Sequence, residues 1–152
     1  MIKLEISIRQ AEKRDLVHIL KLHVQPDMDN GNVLNLKDAD KIFNKMKSYP
    51  NYKIYVAESE SQVIGTFSLL IMDNLAHMGA PSGLIEDVVV STSFQGKGVG
   101  RQMMEFAINK CKEKGCYKVA LSSNLKRVNA HHLSSNTFTL KRSGYYNIFN
   151  QT

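Results

Sequence analysis

The sequence predicts a mixed α/β fold, of the α+β kind, and three patterns carry that expectation. Tyr52 to Ser59 and Gln62 to Met72 are β-rich runs joined by a short polar turn, the pattern of a hairpin. Leu16, Ile19, Leu20 and His23 recur at helical spacing, as do Ile42, Phe43 and Met46 further on. Near the middle, an apolar run from Leu84 to Val90 leads through a glycine-rich turn into a third helical stripe and then another strand. A strand, a helix and a following strand in that order describe a parallel β-α-β unit.

Taken in order, Leu4, Ile6 and Ile8 alternate and open the chain as a strand. Asp15 precedes the first helix, which runs down near Pro26, and Asp27 to Asn32 reads as a loop containing Gly31. Leu36 to Ser48 is the second helix, with Asn35 as its N-cap. Gly65 marks a bulge in the second hairpin strand. Asp73 to Gly83 is a loop, and the β-branched strand Leu84 to Val90 is expected to be buried on both faces. The third helix begins near Gly98, carries Met103, Met104, Ala107, Ile108 and Cys111 on one face, and stops at Gly115. Tyr117 to Leu121 is the next strand, Leu125 to Ser135 a further helix, and Tyr145 to Phe149 a last strand. The predicted order is β α α β β β α β α β.

A chain of 152 residues suits a single domain, residues 1–152, with enough length to bury a core. Its 43% hydrophobic and 22% charged residues exclude a disordered or fibrous protein. Its apolar runs fall short of the roughly 20 residues a membrane span needs. Lys3, Glu5 and Arg9 interrupt the first ten residues, so no signal-peptide core is present and a cytoplasmic protein is expected. Cys111 and Cys116 agree with a reducing compartment and read as apolar fillers; their spacing is not that of a zinc site.

The net charge of +6 is unevenly placed. All fourteen Asp and Glu lie between Glu5 and Glu113, while residues 114–152 hold six Lys or Arg and no acid. Such a half suits nucleic acid or a small polyanion. No nucleic-acid-binding motif accompanies it, so no nucleic-acid partner is expected.

The turn Gln95-Gly96-Lys97-Gly98-Val99-Gly100 is the most informative segment. Alternate glycines clear side chains from a bend, leaving amide N–H groups free to approach a ligand. A helix start also offers unpaired N–H groups and the positive end of its dipole, to which Lys97 and Arg101 add charge. The result is a phosphate cradle. Its G-x-G-x-G spacing is neither the P-loop pattern nor the dinucleotide fingerprint G-x-G-x-x-G.

This turn resembles the Gln/Arg-x-x-Gly-x-Gly/Ala motif of the GNAT superfamily of N-acetyltransferases. The preceding Gly83-Leu84-Ile85-Glu86-Asp87-Val88-Val89-Val90 resembles that family's central strand, and Cys116-Tyr117-Lys118-Val119 with Leu121-Ser122-Ser123-Asn124 resembles the next. The likeness runs from Ile6 to about His132 and is most specific after Gly83. It implies the GNAT acyl-CoA N-acyltransferase fold: a central, mostly antiparallel sheet with a splayed parallel pair and helices on both faces. It also implies an enzyme using acetyl-CoA as co-substrate, with no metal.

The resemblance further assigns roles. Main-chain groups of Val88 and Val90, or Val89 if a bulge shifts register, would bond the pantetheine arm. Gln95, Gly96, Lys97, Gly98, Val99 and Gly100, with Arg101 nearby, would hold the pyrophosphate, and Asn124 would touch the cofactor near its acyl end. Acetyl transfer needs an amine freed of its proton, donors for the oxyanion and an acid for the leaving thiolate. Glu86 is the candidate base, since an apolar strand makes a carboxylate more basic. The alternative is that Glu86 or Asp87 pairs with a cation or binds the substrate ammonium. Asp87 is weighed towards substrate binding or structure.

Arg127, Ala130 and His131 follow the family pattern Arg-x-x-Ala-His, with Arg127 and His131 as candidate substrate contacts. Adjacent His131 and His132 would point about 100° apart on a helix and do not form a metal site. Ser134 stands where the family commonly carries the tyrosine that protonates the thiolate. Tyr145 from the last strand, or water, would have to replace it, or activity is impaired. The segment around Glu86 and Tyr117 is similar to glucosamine-6-phosphate N-acetyltransferases, and that from Leu121 to His131 to aminoalkylphosphonate N-acetyltransferases. A small-molecule amine bearing an anion is therefore the expected partner, with Lys126, Arg127, Lys141 and Arg142 as surface charges or as its anion contacts. Rival expectations are a protein or peptide acetyltransferase and a non-catalytic acyl-CoA-binding module; a homodimer stays open.

Overall fold

The hairpin at the centre of the fold follows from its turn. Glu60 and Ser61 both take positive φ, 48° and 62°, the geometry of a two-residue turn whose twist matches the flanking strands. It joins β2 (Tyr52–Ser59) to β3 (Gln62–Met72), the bounds expected from sequence. The chain's computed structural model describes residues 3–26, 28–121, 138–141 and 144–147.

Around this hairpin the other elements are β1 (Ser7–Gln10), α1 (Leu16–His23), α2 (Leu36–Lys47), β4 (Ser82–Val90), α3 (Val99–Glu113), β5 (Lys118–Leu121), β6 (Phe138–Lys141) and β7 (Gly144–Asn147). Among the described residues, seven strands form one sheet whose spatial order is the sequence order. Every pairing is antiparallel except β4 with β5, which is parallel and is bridged by α3. The expected mixed fold is thus present. The helix expected over Leu125–Ser135 lies outside the described residues.

Each face of the sheet has its own core. On one, Met103, Met104, Ala107 and Ile108 of α3 pack with Tyr55, Phe67, Leu69, Ile85 and Val119. Tyr55 stacks on Phe67 with centroids 5.2 Å apart, and Phe106 meets Tyr55 edge-on at 5.1 Å. Phe67 is 1% exposed, and burying such a side chain contributes about 1.5–3 kcal/mol. On the opposite face Leu16 and Ile19 of α1 and Phe43 of α2 pack on Val56 and Ala11.

Caps fix the helix ends. The Asn35 side chain accepts from the Asp38 amide at 2.9 Å, the N-cap expected for α2. At the end of α3, Gly115 takes φ +73°, the Cys116 amide donates to the Cys111 carbonyl at 3.0 Å and the Gly115 amide to Lys112. This is a Schellman cap, and Cys111 with Cys116 forms its apolar contact. Both cysteines are free and buried, the filler role expected of them. The neighbouring Cys116 thiol, and then burial, push the Cys111 thiol well above its ordinary range.

The start of α1 is pinned electrostatically. Arg9 on β1 holds the buried Asp15 through two bonds of 2.7 and 2.9 Å and reaches Glu58 on β2 at 2.8 Å. The guanidinium and the Glu12 amide keep the Asp15 carboxyl below the usual range. Among the described residues no helix is long and apolar enough to cross a membrane.

Candidate active site

Strand β4 carries the candidate site, and its irregularity shapes it. Thr66 of β3 pairs with Val89 and Ser68 with Glu86, so one β3 residue, Phe67, faces two on β4, Asp87 and Val88. That is a β-bulge. Asp87 supplies it by taking φ +53°, a left-handed conformation that aspartate tolerates better than most residues. Ile85, Val88 and Val90 consequently all pack towards α3, whereas an unbroken strand would turn Ile85 and Val88 to opposite faces. Glu86 stays level with Ser68, on the face of α1 and α2. A second shift lies between Ala57 and Glu58, where Ala57 pairs with Gly65 and Glu58 with Val63; this is the bulge expected at Gly65.

The parallel pairing of β4 with β5 runs from Ser82–Lys118 to Ile85–Leu121. The ladder ends there, and strand β4 continues five residues beyond it, from Glu86 to Val90. Glu86 is half-buried and Asp87 exposed. Among the described residues neither carboxylate makes a hydrogen bond or an ion pair.

After β4 the chain makes one 3-10 turn, Thr92–Phe94, and enters the glycine segment. Gly96 and Gly98 take φ +75° and +85°, and a Cβ on either would meet no atom within 4 Å. Their freedom is needed for the bend, and the space beside them is open. Gly98 is the N-cap of α3. Among the described residues no backbone carbonyl accepts from the amides of Gln95, Gly96, Lys97 or Gly98. The amides of Val99, Gly100 and Arg101 belong to the first helical turn, which has no intrahelical acceptors. Val99 is 1% exposed and anchored in the core, so what it presents is its amide. Lys97 lies over the Phe94 ring at 5.2 Å, and both Lys97 and Arg101 are exposed. The segment can therefore hold an anion by backbone and charge together.

Three residues here, Gln25, His23 and Tyr52, were not expected at the site from the sequence. Gln25, just beyond α1, donates from Nε2 to the Val90 carbonyl at 3.0 Å and accepts on Oε1 from the Thr92 amide at 3.2 Å. Gln95 donates to the same Val90 carbonyl at 3.1 Å, so its side chain points back to the strand end. His23, at the end of α1, is half-buried. Burial pulls its pKa below the ordinary 6.5, while Asp87 and Asp29 push it up. Tyr52 has its phenol pKa raised by burial first and then by Asp87 and Glu86, with the Ser68 hydroxyl beside it. No local pattern announces them, because each reaches the site across the fold.

The structure thus brings together Glu86, Asp87, Val88, Val89 and Val90 on one strand and the glycine segment at its exit. Tyr145 falls in β7, paired with Leu140. Asn124, Lys126, Arg127, His131, His132 and Ser134 lie outside the described residues. Among the described residues no group of three His, Cys, Asp or Glu could hold a metal ion.

A central sheet with one parallel pair, a bulged strand leaving it and an amide-lined helix start are the features that the resemblance to the acyltransferase fold implied. The profile of the acetyltransferase (GNAT) family matches residues 16–134. The chain belongs to that family. It is 34% identical over 93 residues to the glucosamine 6-phosphate N-acetyltransferase of Arabidopsis thaliana, a match covering 59% of this chain and 62% of that one. It is 30% identical over 82 residues to the aminoalkylphosphonate N-acetyltransferase of Salmonella typhimurium, covering 54% and 53%. Both matches thus span less than two thirds of these relatives' own length. The solved structure of glucosamine-6-phosphate N-acetyltransferase from Arabidopsis thaliana superposes with a TM-score of 0.69 at 31% identity, over 80% of this chain and 84% of that one.

Proposed function

We propose that the protein transfers the acetyl group of acetyl-CoA to the primary amine of a small anionic molecule, such as an amino-sugar phosphate or an aminoalkylphosphonate, by direct attack in a ternary complex. The observation that carries this is the arrangement at the end of β4. The amides from Gln95 to Gly98 and those of the first turn of α3 adjoin the part of β4, Glu86 to Val90, that runs on beyond its ladder with β5. The two relatives, named for amines bearing a phosphate or phosphonate, support the acceptor class.

In this mechanism acetyl-CoA supplies an activated thioester. The amides of Gly96 to Arg101, with Lys97 and Arg101, hold its pyrophosphate. Backbone groups of the bulged strand, Val88 to Val90, orient the pantetheine arm, and the Val90 carbonyl is shared by two glutamines. Asp87 holds the acceptor as its ammonium. Glu86, directly or through water, takes the proton that must leave before the nitrogen attacks. Tyr145 or water returns a proton to the leaving thiolate. Lys126, Arg127, His131, Lys141 and Arg142 are the candidates for the acceptor's anionic end, and Asn124 for the acyl end of the donor.

Titration calorimetry with acetyl-CoA, followed by thiol release across a panel of amines, tests this reading. Binding together with turnover of phosphate- or phosphonate-bearing amines is the expected result. Absence of acetyl-CoA binding would sink it. Turnover confined to peptides would move the acceptor class to proteins, and binding without any turnover would leave an acyl-CoA-binding module, the outcome that Ser134 favours.

A further inference from the structure

The side chain of Gln25 does at the exit of β4 what a neighbouring strand does elsewhere in the sheet. Successive residues of a strand turn their N–H and C=O groups to opposite edges. Just past β4 the Ser91 amide donates to the Ile64 carbonyl of β3 at 2.8 Å. The groups on either side of it, the Val90 carbonyl and the Thr92 amide, are therefore directed to the other edge. Gln25 meets both there: Nε2 donates to the Val90 carbonyl at 3.0 Å and Oε1 accepts from the Thr92 amide at 3.2 Å. In a parallel ladder one residue gives its N–H to the carbonyl before its partner and accepts the N–H after it. The Gln25 carboxamide makes that same pair of bonds around Ser91.

Its anchor is firm. Gln25 is half-buried, its own carbonyl accepts from the Met28 amide at 2.9 Å, and the Gly31 amide closes the loop on Val24 at 2.9 Å. Leu16 and Ile19 hold α1 in the core. What Gln25 holds leads directly into the glycine turn. The Phe94 amide donates to the Ser91 carbonyl at 2.8 Å, and the Gln95 side chain returns to the Val90 carbonyl at 3.1 Å. Fixing the chain around Ser91 thus fixes the direction in which Gln95 to Gly98 leave the strand.

We propose that Gln25 is a positioning residue for the anion site of that turn: its carboxamide extends the sheet by one parallel bridge and so aims the turn's amides at the pyrophosphate of acetyl-CoA. The proposal rests on the acetyl-CoA reading above and adds the group that pre-organises the cradle. Without the carboxamide the exit of β4 must be ordered at the moment of binding, which costs affinity. A donor that lacks the pyrophosphate has nothing to lose there.

Two measurements test it. The first needs no ligand: hydrogen exchange of the Thr92 amide is followed by NMR in the wild type and in Gln25→Met, which keeps the length of the side chain and removes both bonds. Thr92 should exchange about tenfold faster in the variant; an unchanged rate overturns the proposal. The second is calorimetry with acetyl-CoA and with S-acetylpantetheine, which carries the thioester and no pyrophosphate. Gln25→Met should weaken acetyl-CoA about fivefold and leave S-acetylpantetheine unchanged. Gln25→Asn, which keeps the carboxamide and loses its reach, should do the same, and circular dichroism checks that each variant folds. Equal loss on both donors, or wild-type affinity for acetyl-CoA in either folded variant, overturns the proposal. A wild type that binds acetyl-CoA and acetylates no amine sinks the acetyl-transfer reading alone, since binding still decides the role of Gln25. One that binds no acetyl-CoA overturns both.

Discussion

From Ser82 to Ile85, strand β4 is paired on both sides, to β3 and to β5, and Gly83 lies against the Cys111 thiol so closely that a Cβ there would collide with Sγ. From Glu86 to Val90 the same strand bulges at Asp87, runs on beyond its ladder with β5 and leads to glycines whose missing side chains face open space. Glycine serves opposite purposes in the two halves. At Gly83 it lets helix and sheet approach; at Gly96 and Gly98 it bends the chain and leaves room for something not of the chain. One half is therefore a structural clamp and the other is where chemistry is proposed, and substitutions should separate them by readout as well as by size.

The largest effect is expected at Glu86. Glu86→Gln should lower kcat about a hundredfold or more, with acetyl-CoA affinity and thermal stability unchanged; equal turnover across the pH range would remove Glu86 as the base. Next comes Gly98→Glu, which puts a carboxylate into the amide cradle and should weaken acetyl-CoA about a hundredfold, or ~2.7 kcal/mol. Calorimetry reads this, and unchanged affinity in a folded variant would break the assignment of the turn. In the clamp, Gly83→Ala should cost about 1–3 kcal/mol of stability by overpacking, seen as a lower urea midpoint. Combining it with Cys111→Ala should cost less than the sum of the two, because one removes the atom the other strikes. Strict additivity would mean that the contact does not matter. The smallest effect is Gln25→Ala, about 1 kcal/mol in urea unfolding, with a modest rise in the KM for acetyl-CoA as the strand exit loosens.

Much of the fold was legible because local chemistry and global packing agree. Strands β2 and β3 have the expected ends, since a polar turn of two left-handed residues leaves little freedom in register. Asn35 and Gly115 close their helices for reasons visible in a few residues. The strand β6, Phe138–Lys141, was not expected: four residues give too short an alternation, and its place comes from pairing with β5 and β7. Strand β4 begins at Ser82, earlier than Leu84, because Ser82 and Gly83 have partners on both sides that outweigh their weak strand preference. At the site, the glycine turn stood out in the sequence, whereas the bulge entered only as an alternative that the resemblance left open and had no residue assigned to it. It uses an aspartate where a glycine would have signalled it. His23, Gln25 and Tyr52 reach β4 from 34 or more residues away in the chain, a separation that no periodicity or motif can bridge.

The order of the sheet, in which each strand lies beside its sequence neighbours, bears on how the protein comes to exist as well as on its shape. Strands β2, β3 and β4 form a meander whose contacts span short stretches of chain, and such contacts form early because little loop entropy opposes them. The parallel step from β4 to β5 has to wait for α3 to fold and swing across the sheet. The glycine turn is the entrance to that crossover. Folding kinetics and ligand chemistry thus meet in the same six residues, Gln95 to Gly100, which bend the chain once during folding and then remain open as its anion-facing end.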